Sequence, residues 1–299
     1  MDQIDSIAIN FNESGIFLIN ITLALIMFGI ALDLSIDRFK KVLALPRSLI
    51  IGLISQLIVL PLGTFLLIVL LEPIPSIALG MILVASCPGG NISNFISAQA
   101  KANVELSIVM TVISSLLAMI FTPINFAFYG NLYKPTQSIL QTINLDWMDI
   151  VQTIGMIIIV PIIIGLLVRN YYPIIIPKIA SKIRNSSMLL FLLIVLGAFV
   201  ANWKFFIDWI GVIFFLVLLH NALALSVGYI LGILGRLPEK NKRSLSIETG
   251  IQNSGLGLLL IFTFFDGLGG MAIVTAWWGI WHIIAGFTIA YFWNKTDAQ

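Results

Sequence analysis

The chain has 299 residues, 59% hydrophobic and only 10% charged, with a formal net charge of +2 and a mean hydropathy of +1.05. Soluble domains carry roughly 25% charged residues, so this composition excludes a soluble globular enzyme, a disordered chain and a secreted disulfide scaffold; the solvent that suits it is lipid. The balance of 16 Lys+Arg against 14 Asp+Glu points to no nucleic-acid partner, and a single cysteine, Cys87, excludes an intrachain disulfide.

Residues 1–14 contain Asp2, Asp5 and Glu13 but no Lys or Arg. A secretory signal needs a basic start, so this stretch reads as an extracytoplasmic tail. Nine spans of about 20 apolar residues are predicted after it, at 15–35, 48–71, 76–100, 105–129, 148–168, 186–203, 207–234, 244–265 and 270–293. The apolar runs are continuous rather than alternating, which predicts an all-α membrane protein and not a barrel. Residues 294–299 form a short tail.

The loops predict the orientation. One alternate set carries Arg38, Lys40, Lys41, Arg47, Lys101, Arg169, Lys178, Lys182, Arg184, Arg236, Lys240, Lys242, Arg243 and Lys295. The other set carries only Lys134 and Lys204. Basic residues gather on the cytoplasmic side, so the N-terminus is expected outside and the C-terminal tail in the cytoplasm of a bacterial inner or plasma membrane.

Two of the spans are interrupted. Span 76–100 contains Ser86-Cys87-Pro88-Gly89-Gly90-Asn91, where Pro88 removes a donor and the glycines loosen the backbone. Span 244–265 contains Glu248-Thr249-Gly250-Ile251-Gln252-Asn253-Ser254-Gly255. Pro88 follows residue 48, the start of the preceding span, by 40 positions, and Gly250 follows residue 207 by 43. The two interrupted spans run in opposite directions, so 48–129 and 207–293 read as inverted three-helix units. Matched interruptions of this kind point to the binding site of a secondary transporter.

The polar residues at the breaks suit a hard cation such as sodium, which takes hydroxyl, amide, carbonyl and carboxylate oxygens. The candidates are Ser93, Asn94, Ser107, Thr111, Glu248, Thr249 and Gln252, with Gln56 well inside its own span. Ser107 and Thr111 share a helix face. Glu248 is the one carboxylate expected inside an apolar span, where a charge costs about 2.5–3.5 kcal/mol. It stands five residues after Arg243, roughly 8 Å along a helix, so an interfacial position is the competing reading. His220-Asn221 are expected as an interhelical hydrogen-bonded pair, Cys87 as packing, and Trp277, Trp278 and Trp281 as packing or cavity wall. Pro61, Pro123 and Pro161 mark kinks.

At these residues the chain resembles the bile acid:sodium symporter family. The resemblance runs from about Ala24 to Trp293. It rests on Met27-Phe28-Gly29-Ile30-Ala31-Leu32, Cys87-Pro88-Gly89-Gly90 with Ser93-Asn94, and Leu106-Ser107 with Met110-Thr111. Leu219-His220-Asn221, Glu248-Thr249-Gly250 with Gln252-Asn253-Ser254-Gly255, and Trp281-His282 complete it. The likeness is to the nine-helix form, and His282 is followed by Ile283 where bacterial members often carry Asn.

The resemblance implies sodium-coupled symport of an organic anion, bile acid-like or a small carboxylate such as pantoate or pantothenate, by alternating access. It implies an inverted-repeat core with two discontinuous crossing helices, 48–129 and 207–293, moving against a panel of 15–35 and 148–203. It implies no cofactor and two sodium ions. One ion would sit among Ser93, Asn94, Ser107, Thr111 and Glu248. The other would sit among Gln56, Glu248, Gln252 and the carbonyls of Thr249 and Ile251. The substrate would meet Asn91, Ile92, Asn253 and His282.

Other classes fit the residues less well. A proton-coupled organic-anion transporter would lean on Glu248, and an arsenite carrier on Cys87. A passive channel would show uncoupled flux, and a ligand-sensing membrane protein would want an output domain that the loops have no room for. An intramembrane enzyme would want a nucleophile–base or metal pair, and no such motif is present.

Overall fold

The apolar stretches fold as α-helices in the computed structural model, which describes residues 3–6, 13–33, 40–42, 44–142 and 146–296. Residues 34–35 of the first predicted span, Arg38, much of the N-terminal tail and residues 297–299 lie outside the described residues. Helix α1 is Glu13–Asp33 and α2 is Pro46–Leu71. The first broken span is two helices, α3 (Pro75–Ser86) and α4 (Ile92–Gln99). Next come α5 (Val104–Leu132) and the short α6 (Gln137–Thr142). Helix α7 runs through Trp147–Ile154, Gly155–Ile159 and Val160–Tyr171. Then follow α8 (Ile176–Ala201), α9 (Trp203–Leu234), α10 (Glu239–Gly250), α11 (Ser254–Phe264) and α12 (Gly269–Thr296).

Among the described residues six helices are long and apolar enough to cross a membrane: α1, α2, α5, α7, α9 and α12. Helices α3 and α11 are apolar but short. The chain is an all-helical membrane protein, and its outward faces carry residues such as Leu70, Phe128, Met156 and Phe215, as a lipid-facing surface requires. Two boundaries differ from the sequence reading by more than four residues. Helix α8 begins at Ile176 rather than 186, and α10 at Glu239 rather than 244. Both helices start with charged turns, Lys178-Ile179-Ala180-Ser181-Lys182 and Glu239-Lys240-Asn241-Lys242-Arg243. Hydropathy misses such turns, although Lys, Arg and Glu are good helix formers.

Helix α1 packs against α7 and α8. Helices α3 and α4 pack against α5 and α12, and α10 lies against α9, α4 and α5. Helix α1 also touches α11, so the two groups face each other where the second break lies.

The starts of α2, α5 and α10 are tied by side-chain amides. Asn103 caps α5 by accepting from Leu106 N at 3.1 Å, and its Nδ2 donates to Asn241 Oδ1 at 2.9 Å. Asn241 Nδ2 donates onward to Ser48 Oγ at 2.9 Å. Asn241 is buried, so Asn241→Leu leaves the partners that it bonded short of one hydrogen bond each. The expected cost is about 1–3 kcal/mol, read as a lower melting temperature in detergent at fixed salt.

Candidate functional site

The two unwound segments, 87–91 and 251–253, cross and bond to each other. Gly90 N donates to Ile251 O at 2.7 Å and Asn253 N donates to Pro88 O at 2.8 Å. Together they make an isolated antiparallel bridge between Gly89 and Gln252. Unwound backbone inside a membrane has no water to bond to, and the bridge satisfies two N–H and two C=O groups at once. Close approach is the reason for glycine here. A Cβ on Gly90 would stand 2.8 Å from Gln252 O, and one on Gly89 would run into the Glu248 carboxylate and stand 3.0 Å from Gln56 Nε2.

Glu248 lies two residues before the end of α10 and is fully buried. Its Oε2 accepts from Ser93 of α4 at 2.6 Å and from Ser107 of α5 at 2.8 Å. Its Oε1 accepts from Thr111 of α5 at 2.5 Å. Asn94 Oδ1 stands 3.4 Å from the Thr111 hydroxyl, and Ser97 Oγ donates to Ser107 Oγ at 3.2 Å. Glu248 is thus enclosed by protein on every side. Among the described residues its side-chain partners are hydroxyls alone, and no group of three His, Cys, Asp or Glu could hold a transition metal. A buried carboxylate needs a compensating positive charge or proton. Here the surrounding donor set is all oxygen and carries one negative charge, which suits a monovalent hard cation.

Two amides extend the cluster. Helix α2 widens into a π-type turn over Ser55–Val59, a deformation common at functional sites. Gln56 Nε2 donates from this turn to Glu248 O at 3.3 Å, and Gln252 Nε2 donates to Thr249 O at 2.7 Å. Gln56 Oε1 and Gln252 Oε1 are buried and accept from no donor among the described residues. The Thr249 and Ile251 carbonyls each already accept one bond, from Gln252 Nε2 and Gly90 N, and each keeps a second lone pair.

A cavity of about 220 Å³ lies beside the crossing. Asn91, Ile92, Asn253 and His282 all line it, with Leu23 and Ile26 of α1 and Leu189 and Leu192 of α8 opposite. Gln252 lines it too, so one residue belongs to both the oxygen cluster and the cavity. Helices α4 and α11 begin at the cavity; Asn253 Oδ1 caps α11 by accepting from Leu256 N at 3.0 Å. Trp277, Trp278 and Trp281 are not among its lining residues: Trp277 and Trp281 pack on Phe214, and Trp278 on His220.

His220 and Asn221 bond other helices rather than each other. His220 Nε2 lies 2.7 Å from Thr64 Oγ1, and Asn221 Nδ2 donates to Gly250 O at 2.7 Å. Sequence reasoning misses Ser55, whose hydroxyl lies 2.8 Å from Thr249 Oγ1, and Ser114, which accepts from Gly89 N at 3.4 Å. It also misses Asn125, which donates to Leu57 O at 2.8 Å. The signal available for each is a polar side chain in an otherwise apolar span.

The family model described as Sodium Bile acid symporter family matches residues 20–209. The chain is 32% identical over 277 residues to the uncharacterized sodium-dependent transporter YocS of Bacillus subtilis (strain 168), covering 93% of this chain and 83% of that one. It is 29% identical over 276 residues to the probable sodium/metabolite cotransporter BASS1, chloroplastic, of Arabidopsis thaliana, covering 92% of this chain and 66% of that protein. It is 28% identical over 240 residues to the ileal sodium/bile acid cotransporter of Homo sapiens, covering 80% and 67%.

Proposed function

Because the chain belongs to the sodium bile acid symporter family, a family of transporters rather than enzymes, we propose that it carries an organic anion into the cell with sodium by alternating access. The observation that carries this reading is the cluster of hydroxyls around Glu248, with the two donorless amide oxygens of Gln56 and Gln252 at the same crossing. One sodium binds among Ser93, Asn94, Ser107, Thr111 and Glu248. A second binds among Gln56, Glu248, Gln252 and the free lone pairs of the Thr249 and Ile251 carbonyls. Sodium neutralises the carboxylate and fixes the crossing, and the crossing shapes the cavity. This is how ion binding reaches the substrate.

The substrate anion meets Asn91, Ile92, Asn253 and His282 at the starts of α4 and α11, where the helix dipoles favour negative charge. Drug-sized ligands occupy pockets of about 300–1,000 Å³, so a cavity of about 220 Å³ favours a small carboxylate over a steroid. We assign 15–35 and 148–203 to a panel and 48–129 and 207–293 to a core in a nine-span arrangement, with the N-terminus outside and the C-terminus in the cytoplasm. One charge crossing 100 mV releases about 2.3 kcal/mol, so two sodium ions outweigh the uphill entry of a monoanion.

The test is the melting temperature of the purified protein in sodium against potassium, with a panel of organic anions. Sodium is expected to stabilise it by several degrees, and a cognate anion to stabilise it further only when sodium is present. Identical melting in the two salts, with stability that follows pH instead, would replace sodium by proton coupling; no response to either would leave a passive pore.

A further inference from the structure

The π-type turn of α2 is followed by Pro61, and this pairing takes the usual helical donor from two carbonyls, those of Gln56 and Leu57. In a regular helix the N–H of residue 61 would bond the carbonyl of residue 57; proline has none. The helix runs Leu60 N back to Ser55 O instead, and the Leu57 carbonyl is left for a partner from outside. Asn125 of α5 supplies it, with Nδ2 at 2.8 Å. Leu57 adjoins Gln56, whose Oε1 is buried without a donor and whose Nε2 reaches Glu248 O. Helix α5 also carries Ser107 and Thr111. One amide thus fastens the helix of Gln56 to the helix of the two hydroxyls that hold Glu248.

Helix α7 provides a comparison within the same chain. It has the same kind of turn over Gly155–Ile159, followed by Pro161 in the same register. The position matching Gln56 is Met156, which is exposed. Among the described residues no side chain bonds the Ile157 carbonyl there. A wide turn before a proline therefore does not itself require an amide clamp. The clamp accompanies the glutamine.

We propose that Asn125 is a positioning residue for the second sodium site: its bond to the Leu57 carbonyl holds the wide turn of α2 so that the Gln56 amide oxygen faces the ion. The inference rests on the sodium reading above.

The test is a sodium titration of melting temperature and of uptake in proteoliposomes, with the full chain, for wild type, Asn125→Ala, Gln56→Ala and the double variant. Asn125→Ala is expected to raise the half-saturating sodium concentration about tenfold, the loss of roughly one buried bond, while uptake at saturating sodium stays within about twofold. The double variant is expected to shift no further than Gln56→Ala alone, because the two residues act as one unit. An unchanged sodium half-saturation in Asn125→Ala, or additive shifts in the double variant, would overturn the proposal while leaving the sodium site standing. A wild type with no sodium response would remove the site itself. If Asn125→Ala does not fold, Pro61→Ala is added to return an N–H to the Leu57 carbonyl. Stability in potassium should then recover with the sodium shift persisting, and recovery of sodium affinity as well would reduce Asn125 to a carbonyl partner.

Discussion

Glu248→Gln is expected to abolish sodium-specific stabilisation and to lower sodium-driven uptake by on the order of 100-fold or more. The carboxylate is the one negative charge of the oxygen cluster, and it accepts from Ser93, Ser107 and Thr111 together. Glutamine keeps the shape, removes the charge and turns one acceptor into a donor that faces hydroxyls already donating. Truncating one member of a buried charged pair costs about 2–5 kcal/mol, which converts to roughly 30-fold to several thousand-fold in affinity. The melting temperature in potassium should rise, because the variant no longer buries a bare charge. Loss of sodium response with gain of sodium-free stability separates a binding role from a structural one. A sodium half-saturation equal to that of the wild type would remove Glu248 from the site.

The second large effect is at the crossing. Gly90→Ala places a methyl group 2.8 Å from Gln252 O and 3.1 Å from Gln252 C. Both atoms are backbone, and Gln252 lies between the two hydrogen bonds of the bridge. Neither side can yield without opening that bridge. The expected cost is about 1–3 kcal/mol of overpacking plus about 1 kcal/mol for each bond lost. Melting should fall in sodium and potassium alike, and uptake should be lost. Gly89→Ala meets the ends of the Glu248 and Gln56 side chains instead, which can swing away. It should leave melting in potassium nearly unchanged and raise the sodium requirement. If the two variants behave alike in both salts, the bridge is not the rigid element of the site.

The contrast between these glycines bears on what the sequence makes legible. Pro88-Gly89-Gly90 announces a break because its chemistry is local: a missing N–H and two residues without a Cβ. The polar run from Glu248 to Ser254 announces the second break in the same way, and the hydroxyls at Ser107 and Thr111 announce a shared helix face. The register in which the two breaks pair is not legible, because the bonds from Gly90 to Ile251 and from Asn253 to Pro88 join segments about 160 residues apart through backbone atoms that every residue has. The turn at Ser55–Val59 has no local signature beyond Pro61. Gln56 stands out as a polar side chain well inside an apolar span and takes its ion-site role from the family resemblance, whereas Asn125, which bonds the Leu57 carbonyl, is found by neither route. The early starts of α8 and α10 are hidden for another reason. Hydropathy measures what lipid tolerates, whereas a helix end in water is set by propensity and capping.

The bridge between Gly89 and Gln252 has a consequence for how a carrier of this build diverges. Its bonds run between main-chain atoms, so once glycine permits the close approach at 89 and 90 they do not depend on which side chains project from the flanking positions. Asn91, Ile92 and Asn253 border the cavity beside the bridge, and under the proposed sodium symport, substitutions there alter which cargo fits while the frame around the proposed ion ligands stays as it was. Cargo recognition can drift in such a protein and the driving ion stay the same.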